Sequence, residues 1–222
     1  LAAIWGARST IINELLVSNE ADYQRAFEAA QAMLQDAEMD IRGVNSDGSA
    51  CTPNSQFADI CRVSTVVRFD FEKKELHSVI ATLTSATATG CIKGICHKRL
   101  GIQNFWDDSD LLLQMTQPDV GARFGQFTGA AVSEAGNPVL ANRSTSTTDV
   151  KALRGAWYWV EILPYVNSEI TLLGNSGDST NSAAFSPSSA APWVYRITAL
   201  ARGNKDGTEV VLQSLLSLKP SE

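Results

Sequence analysis

The sequence predicts an α+β fold in which one long N-terminal helix lies on a C-terminal antiparallel sheet, and three stretches carry that reading. Residues 21–42, ADYQRAFEAAQAMLQDAEMDIR, place Tyr23, Phe27, Ala30, Leu34, Ala37 and Ile41 at three- and four-residue spacings, one apolar stripe of a helix. Residues 156–165, AWYWVEILPY, alternate Trp157, Trp159 and Glu161 with Tyr158, Val160 and Ile162, the period of a strand. Residues 193–202 and 208–218, WVYRITALAR and TEVVLQSLLSL, flank the turn GNKDG, a hairpin signal. A helix stripe and a sheet face must each be covered, and here each covers the other.

The helix comes first in the chain. No Pro or Gly interrupts residues 7–42, and Gly43, Asn45, Ser46, Asp47 and Gly48 supply the stop. About 35 helical residues span roughly 50 Å at 1.5 Å per residue, too long for the interior of a 222-residue globule. The first dozen, LAAIWGARSTII, are apolar on nearly every side, whereas the second half carries Glu28, Asp36, Glu38 and Asp40, which the stripe reading faces away from the sheet. One end therefore belongs in an apolar environment and the other on a domain. The chain starts at Leu1 without a Met, and the expectation is that residues before it extend the apolar run toward the 20 or so that a membrane span needs.

After the helix, residues 43–62 read as loop and 63–71, VSTVVRFDF, as a strand bounded by Glu72, Lys73, Lys74 and Glu75. Residues 76–90, LHSVIATLTSATATG, fit either an amphipathic helix or a Thr-rich strand. Residues 91–154 are rich in Gly, Pro, Asn and Thr and read as a long irregular region with a short helix near 108–115 opened by Ser109. So long an irregular stretch inside a domain usually serves binding. Residues 174–192 read as a polar loop. The expected organisation is a helix at 1–42 and a globular domain at 43–222, with a variable loop region at about 43–155 and the antiparallel sheet at about 156–218.

The balance of 18 basic and 24 acidic residues, net −6, with no basic run, argues against nucleic-acid binding. The cysteines, Cys51, Cys61, Cys91 and Cys96, lack zinc-ribbon spacing and read as two disulfides formed in an oxidising compartment. Three connectivities are open; the local pairs, Cys51 with Cys61 and Cys91 with Cys96, are the expected ones, each adding ~2–3 kcal/mol in the loop-entropy model. Neither His77 nor His97 sits in a pattern that binds metal or activates a nucleophile, and no nucleophile elbow, phosphate loop or HExxH motif occurs. Residues 45–49, 107–110 and 204–209 offer only fragments of a calcium loop and read as turns. Trp157, Tyr158, Trp159, Tyr165 and Trp193 read as core aromatics rather than as a sugar-stacking platform. The reading is thus a non-enzymatic protein without cofactor or metal.

Three stretches, in order along the chain, resemble one family, the PilX-type minor pilins of bacterial type IV pili. RAFEAAQAMLQDAE, residues 25–38, resembles the family's N-terminal helix, in which Ala-Phe-Gln-Ala-Ala-Glu is followed by Leu-Arg-Asp-Ala-Glu. CIKGIC followed by Phe105, Trp106 and Asp107 resembles its cysteine, four residues with Gly third, cysteine, then Trp arrangement, and YRITALARG with GTEVVLQSLL resembles its closing hairpin. The resemblance implies a pilin fold, with a leader peptide and the first part of the mature helix before Leu1. It implies an assembly face on that helix, for which Ile4, Trp5, Ile11, Ile12, Leu15 and Leu16 are the candidates here, and helix-on-sheet packing by the stripe from Tyr23 to Ile41. It also implies other minor pilins, the major pilin and a PilY-type tip adhesin as partners. The location implied is the inner membrane and periplasm before assembly, then an extracellular pilus tip of a Gram-negative bacterium. A type II secretion pseudopilin, or a membrane-anchored periplasmic ligand-binding module using Trp157 and Trp193, are the alternative readings.

Overall fold

A computed structural model describes residues 2–86, 88–133, 135–142, 154–164, 187 and 192–218, with side chains described from residue 14 onward, residue 86 excepted. Helix α1, Ala2–Arg42, is followed by α2 (Leu76–Ala86), the short strands β1 (Cys91–Ile92) and β2 (Ile95–His97), and the helices α3 (Ser109–Met115) and α4 (Pro138–Ala141). The long strands β3 (Gly155–Pro164), β4 (Trp193–Arg202) and β5 (Glu209–Leu216) complete the chain. They form one sheet in the order β1-β2-β3-β4-β5, antiparallel except between β2 and β3. This is the helix-on-antiparallel-sheet plan of an α+β, pilin-like fold.

Alternation along the strands divides the core into two layers. Tyr158, Val160 and Ile162 of β3 and Tyr195, Ile197, Ala199 and Ala201 of β4 face α1, which buries Ala26, Ala29, Ala30, Met33, Ala37 and Ile41 against them. The alanines let the helix axis approach the sheet closely, because no side chain beyond a methyl separates the two backbones. On the opposite face, Trp157, Trp159 and Leu200 are covered by Phe105, Leu112, Met115 and the Cys91 and Cys96 pair. Trp159 donates its indole N–H to the Met115 carbonyl at 3.1 Å and meets the Phe105 ring edge-on at 4.9 Å. The aromatic strand is therefore core on both faces; Tyr165 and most of residues 174–192 lie outside the described residues.

The buried stripe of α1 is rotated from the one periodicity suggests. Tyr23 is 49% exposed and takes no part in the helix-on-sheet packing, and Phe27 and Leu34 sit at the margin of the core rather than at its centre. The reason is that Asp22, Asp36 and Asp40 are buried, on the same side as Ala26, Ala29 and Met33. Asp36 and Asp40 therefore do not face away from the sheet as the stripe reading had them, since each finds hydrogen-bond donors inside, and only then can a carboxylate be buried.

Residues 63–71 are not a strand. Val67 and Phe69 are buried while Val66 is 82% exposed. Turn bonding uses the backbone instead: Thr65 donates its N–H to Arg62 at 3.1 Å, and its hydroxyl lies 2.8 Å from the Arg62 carbonyl and 2.9 Å from that of Val67. Alternation alone does not make a strand when no ladder is available. Residues 76–86 resolve as helix. Glu72 and Glu75 form a capping box ahead of it, and Leu76, Val79, Ile80 and Leu83 give it an apolar face, while Thr82 and Thr84 return their hydroxyls to carbonyls four residues back. The cap of α3 is Asp108 rather than Ser109, with its carboxylate accepting from Asp110 and Leu111 N–H at 3.0 Å each. The hairpin β1–β2, unforeseen in the sequence reading, turns through Lys93 and Gly94, both at positive φ. A Cβ on Gly94 would stand 2.6 Å from the Cβ of Ala122, so only glycine fits.

Candidate assembly surfaces

Helix α1 is described over 41 residues, about 60 Å at 1.5 Å per residue. Its body-bound part ends where the β4–β5 turn grips it. Asp22 accepts the N–H groups of Asn204 and Lys205 at 3.0 Å each, and the Lys205 ammonium reaches Ser18 Oγ at 2.5 Å and Asn19 Oδ1 at 2.8 Å. Burial works against the Asp22 carboxylate, but the two N–H donors, Thr208 and Arg25 together hold its pKa below the ordinary value. Gly203 is required beside it, because a Cβ there would lie 2.3 Å from Asp22 Oδ2.

Toward Ala2 the helix continues past this clamp. Leu15, Leu16 and Val17 are 58%, 62% and 69% exposed, an apolar run that nothing in the chain covers among the described residues. Of the residues expected to form the assembly face, Leu15 and Leu16 lie on this run. Ile4, Trp5, Ile11 and Ile12 are on the same helix, with side chains outside the described set. Among the described residues no helix is long and apolar enough to cross a membrane.

At the other end of α1 the irregular region gathers around the helix terminus. Cys51 is bonded to Cys61 and Cys91 to Cys96. Asp36 is held by the Gly125 N–H at 2.8 Å and by the Thr128 hydroxyl. Asp40 receives a fork from Arg62, Nε at 2.8 Å and Nη2 at 2.5 Å, and the Tyr158 hydroxyl at 2.7 Å. The Arg62 guanidinium is sandwiched between the rings of Phe127, 3.6 Å from the centroid, and Phe69, 4.8 Å, and donates to the Lys93 carbonyl at 3.1 Å. Burial disfavours the charge on Arg62, yet Asp40 outweighs it and keeps the pKa above the usual guanidinium value. Burial, with Asp40 beside it, drives the Tyr158 pKa well above the ordinary 10.0.

The two disulfide loops are tied to one another as well as to the helix. The Lys93 ammonium, on the turn between Cys91 and Cys96, lies 2.6 Å from Asp59, on the loop between Cys51 and Cys61, and Asp59 also accepts from Gln126 at 2.9 Å and Ser64 at 2.8 Å. An open groove of about 410 Å³, lined by Asp40, Arg42, Cys51, Cys61 and Arg68, runs beside the helix end, and one of about 750 Å³ separates residues 56–60 from 125–132.

Sequence reasoning missed the Asp40–Arg62–Tyr158 cluster. Its one signal was the placement of Asp22, Asp36 and Asp40 in helical register with Ala26, Ala29 and Met33. The fragments considered as calcium loops have local roles: Asp47 accepts from Ser49, Asp108 caps α3, and residues 204–209 form the hairpin turn. Among the described residues no group of three or more His, Cys, Asp or Glu side chains is placed to hold a metal ion. His77 is exposed, and His97 packs its ring against Gly90. Trp157, Trp159 and Trp193 are buried, and the Trp193 indole N–H is donated to the Tyr195 hydroxyl, so these rings offer no stacking face to a glycan.

Among the described residues the molecule thus displays an apolar helix end and, at the far end of the helix, a disulfide-stapled loop surface. A search of curated proteins found no match, and neither did a search of solved structures. A family model described as "Type IV pilus assembly protein PilX C-term" matches residues 81–217, more than half of the chain, from within α2 to the end of β5. The family is a structural one whose members serve the type IV pilus in the cell envelope. The chain belongs to the PilX family of type IV pilus assembly proteins and is a minor pilin.

Proposed function

We propose that this minor pilin takes part in assembly or priming of a type IV pilus, in a tip complex with other minor pilins and a PilY-type adhesin. The exposed run Leu15, Leu16 and Val17 on a helix continuing beyond its clamp supports this. An apolar helix face gains free energy when packed against other apolar helices, at about 25 cal/mol per Å² removed from water. In this reading residues 1–42 are the pilin helix and 43–222 the globular domain. The helix lies in the inner membrane before assembly and among neighbouring pilin helices, the major pilin included, afterwards. The globular domain faces the periplasm, then the outside of a Gram-negative cell. The disulfide-stapled loops form the surface presented to neighbouring minor pilins or the adhesin, and the subunit acts by packing rather than by catalysis.

The test mixes the purified chain with the soluble domains of the minor pilins encoded beside it and reads size-exclusion chromatography with light scattering. A stable stoichiometric complex is expected. A monomer in every pairwise and combined mixture would overturn the tip-complex reading.

A further inference from the structure

The two disulfides are embedded differently, and the difference has consequences for the helix end. Cys91 and Cys96 are both buried, face each other in the β1–β2 register and lie in the core with Phe105 and Trp159. Cys51 and Cys61 are half-buried and stand on the wall of the open groove beside Asp40 and Arg42. A small dithiol can therefore approach the second pair and not the first, since exchange requires in-line access of a thiolate to a disulfide sulfur.

Cys61 also adjoins the residue on which the cluster depends. Cys61 and Arg62 have φ of +60° and +54°, successive non-glycine residues in the left-handed region, a conformation that persists only where its surroundings impose it. Three constraints impose it here. Cys61 is bonded to Cys51, its N–H is donated to the Phe127 carbonyl at 2.9 Å, and the Arg62 side chain is threaded between two rings onto Asp40. Cys51 is itself anchored, its N–H donated to the Gly43 carbonyl at 3.1 Å just past the end of α1.

We infer that the Cys51–Cys61 disulfide is a redox latch that seats Arg62 on Asp40 and so orders the loop surface at the end of α1. Opening it takes two electrons and two protons from a dithiol: the Sγ–Sγ bond breaks, Cys51 and Cys61 become thiols, and the dithiol becomes a disulfide. The loop of residues 52–60 then regains its freedom, Cys61 and Arg62 relax toward right-handed conformations, and Arg62 exchanges out of its slot. The sheet, with Cys91–Cys96 still closed, stays folded. Oxidation would thereby complete this surface, independently of which partner, if any, the surface meets.

The test exposes the native chain to rising dithiothreitol, traps free thiols with iodoacetamide, and follows each cysteine and the amide exchange of each segment by mass spectrometry. Cys51 and Cys61 are expected to be trapped at reductant concentrations about tenfold below those that open Cys91 and Cys96. In that half-reduced species, exchange over residues 36–44 and 57–71 should rise about tenfold or more while 155–164 and 193–202 stay protected. The Cys51→Ser/Cys61→Ser variant should show the same pattern without reductant. Opening of both disulfides together, or unchanged exchange at 36–44 once Cys51 and Cys61 are free, would overturn the latch. If the double variant does not fold, the graded reduction of the native chain still decides between these outcomes.

Discussion

Replacing Arg62 with Met removes one buried charge while keeping an unbranched apolar stem between Phe69 and Phe127. In the native chain both Arg62 and Asp40 side chains are 3% exposed, so neither ion has water to fall back on. Breaking a buried pair from one side costs about 3–5 kcal/mol, and loss of the cation from two ring faces adds about 0.5–2 kcal/mol. The expected loss is about 4–6 kcal/mol, a large share of the 5–15 kcal/mol that typically holds a domain folded, and it should lower Tm by about 8–24 °C at this size. Asp40→Asn should be costly too, because it strands the guanidinium, although the Asn carbonyl can still accept from Tyr158. The assay is a double-mutant cycle in urea. The Arg62→Met/Asp40→Asn double variant should be more stable than the sum of the single losses predicts, by about 2 kcal/mol or more, because neither ion is then left alone. Single losses below about 1 kcal/mol, or additivity within about 0.5 kcal/mol, would refute the claim that this pair fastens the helix end.

Three further outcomes rest on the clamp and on titration. Asp22→Ala should cost about 1–2 kcal/mol, since it frees two backbone N–H groups that end on a buried carboxylate, and hydrogen exchange should rise at 203–208 and around residue 18. Because Asp22 and Asp59 titrate below the ordinary value of 3.8 when folded, their stabilisation is complete above that pH and fades as pH falls through the lower folded values, which chemical denaturation at a series of acidic pH values will record. The tyrosines act at the alkaline limit. Burial raises the Tyr195 pKa from 10.0 to about 12 and that of Tyr158 well above 10.0, so their contribution is full below pH 10 and is lost as pH rises through the folded values. Absorbance titration of a Tyr23→Phe/Tyr165→Phe variant, which leaves only these two tyrosines, should show both ionising together with alkaline unfolding, and ionisation at pH 10 in a still-folded chain would contradict the burial argument.

Legibility in the sequence followed how local each signal was. The β4–β5 hairpin and the two faces of β3 were readable because strand alternation and a Gly-Asn-Lys-Asp-Gly turn are near-neighbour properties. The long helix was readable for the same reason, but its rotation was not. Periodicity weights Tyr23 as apolar and Asp36 and Asp40 as polar, whereas the fold buries both carboxylates because Thr128, Gly125, Arg62 and Tyr158 arrive from 22 to 118 residues away. Residues 63–71 misled in the opposite sense, since Val67 and Phe69 serve the core from a turn-rich segment with no strand beside it. The hairpin of β1 and β2 was hidden by its brevity, with two and three residues per strand. The assembly surface was legible only in part. The apolar character of Leu15 and Leu16 is plain in the sequence, but that they lie beyond the Asp22 clamp depends on a contact between the first and last fifths of the chain.

The most direct test of the account is incorporation into the fibre. The protein, expressed from its own gene in cells that assemble pili, is followed by immunoblot in sheared pili and in the cell envelope, beside a Leu15→Asp/Leu16→Asp variant. Because these side chains are exposed in the isolated subunit, the variant should fold and reach the envelope at the native level. Burying two carboxylates between packed helices, at more than 1.4 kcal/mol, should reduce its share in the pili by about tenfold or more. Native protein absent from the pili, or both forms incorporated equally, would contradict the claim that this helix packs the subunit into the fibre.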